Sequence, residues 1–236
     1  TTSGDVSRWH YISSPVAGIN VSTFATLNLA QYVEPLVTGA DNYPGWVAWD
    51  GYQYSGGTQP AYAFSALTLG HGYNYHGDAG AVFTLSGGIN IADRNVTVTS
   101  GSGFPDYQGY NLLVNPFASC LDWDVIIADF PPVSVNNAIY FTLNGVIAAY
   151  ADGIGVNGGT GTIPPLQGFF VKAVANSSVL LPAVARTHNL DQMRYKKKST
   201  EVIYKSSDTI SFVRLQLEHA GDSTDLVVRF NNKATT

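Results

Sequence analysis

Short apolar runs of three to five residues, each closed by a turn residue, recur along the chain. Trp9-His10-Tyr11-Ile12 stops at Ser13-Ser14-Pro15, Trp46-Val47-Ala48-Trp49 runs into Asp50-Gly51, and Ile139-Tyr140-Phe141-Thr142-Leu143 runs into Asn144-Gly145. Proline pushes the residue before it into extended or turn geometry and cannot donate to a ladder, so a strand ends there. Asp-Gly and Asn-Gly between apolar runs are the strongest short-range hairpin signal. Ser55-Gly56-Gly57 and Asn157-Gly158-Gly159 supply further turns. No segment holds an apolar helical period for long, and the best helix candidate is residues 22–32 with Ser22 as its N-cap. The pattern predicts an all-β chain, a β-sandwich or jelly-roll-like fold.

The runs repeat. Trp9 to Val16 aligns with Tyr110 to Phe117 at an offset of 101, each an aromatic, a short apolar strand, and a small polar residue before proline. In the same order, Trp46 to Tyr52 matches Ile139 to Gly145, and Leu69 to Tyr75 matches Leu166 to Val171 through the Gly72 and Gly168 steps, offset 96. Val82 to Leu85 then matches Val179 to Leu181. Ordered matches predict two diverged tandem copies, residues 1–103 and 104–186, with Trp9 and Tyr110, and Tyr73 and Phe169, in equivalent inward sites. Gly72 and Gly168 are expected to allow a close approach that a side chain would obstruct. Beyond 186, residues 200–204, 209–218 and 224–230 alternate apolar with polar and predict C-terminal strands. Residues 187–236 thus form a third region, continuing the fold or starting a further β-sandwich.

Composition agrees. Charged residues make up only 12%, while Gly reaches 24 residues and aromatics 12%, which suits half-buried strands and tight turns. The net charge of −5 hides an asymmetry: residues 1–171 carry Arg8 and Arg94 against eleven acids, whereas 172–236 carries ten cations against six acids. An acidic body repels phosphate backbones, so nucleic acid is excluded as a partner despite Lys196-Lys197-Lys198. No run reaches the length of a membrane-spanning helix, so no membrane insertion is expected. The polar start and the lack of an initiating Met make the chain read as a piece of a longer protein.

The phrases Trp9-His10-Tyr11-Ile12-Ser13-Ser14-Pro15, Tyr110-Asn111-Leu112-Leu113-Val114-Asn115-Pro116-Phe117 with Leu121-Asp122-Trp123, Ile163-Pro164-Pro165-Leu166-Gln167-Gly168-Phe169-Phe170-Val171, and Ala185-Arg186-Thr187-His188 resemble the repetitive C-terminal β-rich regions of large secreted Bacteroidetes surface proteins of the type IX secretion, gliding-motility and adhesin-like kind. The resemblance extends to Leu226-Val227-Val228-Arg229-Phe230-Asn231. It implies export, a place at the outer-membrane surface or outside the cell, and the parent chain's other domains as partners. It supplies no catalytic residue. Copy one departs from the motif in carrying Ser13-Ser14 where copy two carries Val114-Asn115.

Candidate chemistry is sparse. Glycosidase work needs two placed carboxylates, yet the glutamates are Glu34, Glu201 and Glu218, each in a turn-like or alternating context. Asp122 and Asp124 flank Trp123 at strand spacing, where a turn or hydrogen-bonding role is expected. Cys120, the single cysteine, reads as a small buried hydrophobe. His71 and His76 are five apart, which suits no single-face metal pair on a strand. No cofactor is expected; calcium is the one ion for which Asp41-Asn42, Asp78 and Asp152 offer oxygens in Gly-rich loops. Asp208-Thr209-Ile210 and Asp222-Ser223-Thr224 are similar to a short bacterial O-glycan acceptor pattern.

The aromatic crowd of copy one carries the remaining signal. Tyr43, Trp46, Trp49, Tyr52, Tyr54 and Tyr62 lie within one stretch, and exposed Trp and Tyr rings are platforms for sugars or proteins. Trp46, Trp49, Tyr52 and Tyr54 are the candidate ligand-binding residues. Because alternate side chains face opposite ways, one Trp is expected to be buried and the other, with Tyr52 or Tyr54, partly exposed. The sequence therefore predicts a non-catalytic extracellular β-structural or adhesin-like module with a surface polysaccharide or protein as partner. The alternative is a carbohydrate-binding module attached to a secreted hydrolase.

Overall fold

The computed structural model describes residues 8–24, 28–39, 45–77, 83–143, 146–188, 211–219 and 222–230. In the first half, β1 (Arg8–Ile12), β2 (Leu29–Tyr32), β3 (Trp46–Ala48) and β4 (Tyr73–Gly77) form an antiparallel sheet in the order β1-β4-β2-β3. After β5 (Arg94–Val98) come β6 (Tyr110–Val114), β7 (Cys120–Asp122), α1 (Trp123–Asp129), β8 (Val135–Leu143), β9 (Val146–Ala151), β10 (Ile154–Val156), β11 (Thr162–Ile163), β12 (Gly168–Ala173), β13 (Ser177–Leu181) and β14 (Arg186–Thr187). The second large sheet runs β10-β9-β8-β12-β6, with smaller sheets β11-β7-β14 and β13-β5. The chain is an all-β sandwich protein. β15 (Ser211–His219) and β16 (Asp222–Phe230) pair as an antiparallel hairpin, while residues 200–204 lie outside the described residues.

The duplication is written in the register. β1 pairs with β4 as β6 pairs with β12: Ile12 faces Tyr73 where Leu113 faces Phe169, and Tyr11 faces Asn74 where Leu112 faces Phe170. Leu29 faces Tyr75 where Ile139 faces Val171, which makes β2 the counterpart of β8, and β3 the counterpart of β9. The match of Trp46–Ala48 with the strand at Ile139 is thereby corrected by one strand. Loose apolar similarity cannot distinguish neighbouring strands of one sheet, but ladder pairing does. Tyr73 and Phe169 are both buried, as equivalence requires, whereas the side chain of Trp9 lies outside the described residues.

The turn after the first strand is also shared. Ser14 Oγ accepts from the Val16 amide at 2.9 Å, and Asn115 Oδ1, at the equivalent position, accepts from the Phe117 amide at 3.0 Å. Ser14 therefore does the work of Asn115 across the proline, and the departure from the motif is chemical, not structural. Gly70, at φ 85°, is matched by Leu166 at φ 60°, so copy two places a branched side chain in a left-handed conformation. That side chain belongs to the same buried cluster as the core of copy one.

Two expectations fail locally. The described part of residues 22–32 is not an α-helix: a 3-10 turn lies at Val21–Thr23, capped by Asn20, and β2 follows from Leu29, with Leu29 and Ala30 buried on opposite faces of the sheet. Tertiary burial overrides a weak local preference. The Phe83–Leu85 segment is not a strand and Val82 lies outside the described residues; the partner of β13 is β5. β5 thus crosses from the span of copy one into the sandwich of copy two and gives its core Val96 and Val98. α1 is a further departure. Asp122 caps it, accepting from Asp124 N at 3.0 Å and Val125 N at 3.4 Å, and the helix stops before Pro131-Pro132. The hydrogen-bonding role of Asp122 holds, at the last residue of β7 where α1 starts.

Each large sheet has its own core on one face. Ile12, Leu29, Tyr73 and Tyr75 line that of copy one; Leu113, Ile139, Phe141, Phe169 and Val171 line that of copy two, closed by Trp123, Ile126, Val179 and Leu181. Cys120 is buried and burial pushes its thiol pKa up, so it is an unreactive packing residue. A disulfide-exchange thiol reagent is expected to titrate no thiol in the native chain and one after denaturation; labelling of the native chain at the denatured rate contradicts this.

Candidate functional site: aromatic surfaces at the repeat junction

The faces turned away from these two cores meet each other. Tyr11, Tyr32 and Trp46 of copy one and Leu112 and Phe170 of copy two form one cluster. Tyr11 lies 6.0 Å from Trp46, stacked, and 5.6 Å from Phe170, edge on. Tyr32 meets Trp46 at 5.3 Å and Phe170 at 5.4 Å, both edge to face. Burial raises the Tyr11 pKa, a hydrogen bond with Thr142 of copy two opposing it in part. Burial also raises that of Tyr32, with Glu34 beside it adding to the effect. Both phenols stay protonated and serve as packing residues with a polar tip.

The junction is reciprocal. A β-carbon built on Gly72 would lie 2.5 Å from Leu112 Cγ, and one built on Gly168 would lie 2.6 Å from Tyr11 Cβ. Leu112 and Tyr11 are equivalent positions, as are the two glycines. Each repeat therefore receives the first-strand side chain of the other against a bare glycine, the mutual contact of an isologous interface. The close approach expected at both glycines is present. The main chain adds a one-sided link, since Gly72 N donates to Leu112 O and Val114 N to Gly70 O.

Beside the junction, Glu34 fastens the connection between the repeats. Its buried carboxylate accepts from the amides of Gly101, Ser102 and Gly109 at 2.8 to 3.1 Å. Burial alone would raise its pKa; the three amides, with a hydrogen bond from the Thr99 side chain, outweigh it and hold the carboxyl below the ordinary value. Glu34 is thus an internal clasp.

Of the four candidate ligand-binding residues, Trp46 is withdrawn: at 8% exposure it is buried beneath Tyr11 and Tyr32. Trp49 is half-buried against the core of copy one. Tyr54 is half-buried at the rim of the junction, and Tyr52, at 51% exposure, meets it edge on at 6.2 Å. The Asp50-Gly51 hairpin holds them there: Ala48 N donates to Tyr52 O, Tyr54 N to Trp46 O, and Asp50 Oδ1 accepts from Tyr52 N. Burial, then the Asp50 charge, raises the Tyr54 pKa, which leaves its hydroxyl a neutral donor. The structure therefore keeps Tyr52 with the rim of Tyr54 as a solvent-facing pair. Tyr52→Ala is expected to change stability by less than ~0.5 kcal/mol, as an exposed substitution does. A thermal melt shifted as far as a core substitution shifts it would show Tyr52 to be structural.

A second aromatic surface was not anticipated. Tyr110 and Tyr140, on β6 and β8, meet edge to face at 5.7 Å, and the Lys172 ammonium sits 5.0 Å above the Tyr110 ring. Exposed Tyr107 stacks on Phe104 at 5.6 Å in the connection between the repeats. Alternation along β6 marks Tyr110 as facing Leu112's side, but only cross-strand register brings Tyr140 and Lys172 to it.

Of the calcium candidates, Asp41, Asn42 and Asp78 lie outside the described residues, and Asp152 is exposed with its carboxylate bonded by Asn137. Among the described residues no group of three His, Cys, Asp or Glu side chains could hold a metal, and no helix is long and apolar enough to cross a membrane. Asp124 accepts from the Tyr150 hydroxyl at 2.6 Å, and burial followed by that bond pushes the phenol up to about 12. Comparison with protein-family models, with curated proteins and with solved structures finds no match for this chain.

Proposed function

We propose that the chain is a non-catalytic structural or adhesin-like module of a larger secreted surface protein. The observation that supports this reading most is the reciprocal junction: the glycines, the aromatic cluster and the buried Glu34 are all spent on joining two repeats into one body. Such a body suits a spacer or display unit, which must keep its shape while neighbouring domains or partners pull on it. The motif resemblance adds export to the bacterial surface, with the rest of the parent chain and a surface polysaccharide or protein as partners. Protease shaving of intact cells, followed by detection of this chain, tests the placement. Removal from intact cells is expected; full protection until lysis overturns it.

A second reading is supported by Tyr52 and Tyr54: a carbohydrate-binding module in which a neutral sugar stacks on the exposed ring. Binding on a glycan array that Tyr52→Ala abolishes while the melting curve is unchanged would favour this reading over the purely structural one.

A further inference from the structure

We propose that the cleft between the segment before β5, the β6–β7 turn and β14 binds the carboxylate of an acidic sugar. The cleft has a volume of about 500 Å³ and is lined by Asn90, Ser119, Ala183, Arg186 and His188 among others. Only four Lys or Arg residues fall between positions 8 and 188, namely Arg8, Arg94, Lys172 and Arg186. One of them, Arg186, lines this cleft, and a second, Arg94, braces the Asn90 wall from behind. Arg186 is held by its Nε donating to Ala183 O at 2.8 Å, with its guanidinium 5.6 Å from the centre of the Phe117 ring. Arg94 stands one bond behind the wall, its Nε donating to Asn90 Oδ1 at 2.8 Å, while Asn90 Nδ2 donates to Pro116 O.

Both guanidinia are thus aimed by a bond at Nε, and among the described residues neither has a carboxylate partner. The nearby acid, Asp93, is engaged by the Ala183 amide at 2.7 Å. Ser119 Oγ, on the same wall, is buried with no hydrogen-bond partner. An oriented, uncompensated guanidinium matches a carboxylate in two parallel hydrogen bonds. The unpartnered Ser119 hydroxyl beside it suits a sugar hydroxyl, and the acidic body disfavours densely charged polyanions. The cleft is distinct from the Tyr52–Tyr54 surface and from the repeat junction, so it goes beyond the reading above and fails separately from it.

The test is an amide-shift titration of the whole chain with tri-galacturonate, with the uncharged galactose trimer, and with sulfate. Tri-galacturonate is expected to shift the amides of Asn90, Ser119, Arg186 and His188. Arg186→Gln is expected to weaken binding by roughly tenfold or more, and Arg186→Lys, which keeps charge without the fork, by less. Should Arg186→Gln fail to fold by thermal melt, the exposed His188→Gln carries the same expectation of weaker binding. Equal shifts from the galactose trimer overturn the proposal. So do a site that prefers sulfate to the sugar, and affinity unchanged in every variant that folds.

Discussion

Gly168→Val is expected to destabilise the chain by roughly 3 kcal/mol or more, the upper range for forcing atoms into a packed core. At ~2–4 °C per kcal/mol for a chain of this size, thermal melting should fall by roughly 6–12 °C. A first added carbon already lies 2.6 Å from Tyr11 Cβ, an atom fixed to the β1 backbone, so relief requires the two repeats to move apart. Gly72→Val should cost less, because its nearest obstacle is Leu112 Cγ, part of a side chain that can turn. Gly88→Ala is the control, since nothing lies within 4 Å of its added carbon. If Gly168→Val and Gly88→Ala melt together, the interlock described for the junction is wrong.

Glu34→Ala is expected to cost about 3–5 kcal/mol, because it strands the buried amides of Ser102 and Gly109 and the part-buried one of Gly101 and empties a charged site. The effect should depend on pH in a defined direction. The folded carboxyl is held below the ordinary glutamate value, so its contribution is fully present above that value and is lost as pH falls through the folded pKa. Wild-type chain should therefore lose stability to acid below the ordinary glutamate range, and Glu34→Ala should show a smaller loss over that window. Denaturant midpoints measured at neutral and acid pH for both chains check this; parallel losses would show that other carboxylates govern the acid response.

The repeats were legible because what they preserve is local: an aromatic, an apolar strand, a polar residue before proline, and a glycine before the returning strand. The internal pairing of the second match was not legible. The Trp46 strand and the Ile139 strand share composition, but pairing is made with residues tens of positions away. The helix at Trp123–Asp129 was hidden for a different reason. Its two buried residues, Trp123 and Ile126, span one turn, too short a pattern to show a period, and Asp122 became a cap only because the chain turned there. Among the candidate binding residues, alternation anticipated one buried Trp and an exposed Tyr. It could not say that Trp46 is the buried one, covered by Tyr11 and Tyr32 at the repeat junction.

Alone, the sequence determined what depends on neighbours along the chain: strands of period two, turns at Asp-Gly and before proline, an inert Cys120, and glycines that must stay bare. Tertiary structure decided what depends on distant segments meeting. It placed β5 in the core of copy two, used Glu34 to fasten the connection between repeats, and brought Ser119, Arg186 and His188 to one cleft. The physical reason is range. Propensity, turn geometry and alternation act over a few residues, whereas burial, ladder register and charge convergence are properties of contacts that exist only once the chain has closed on itself.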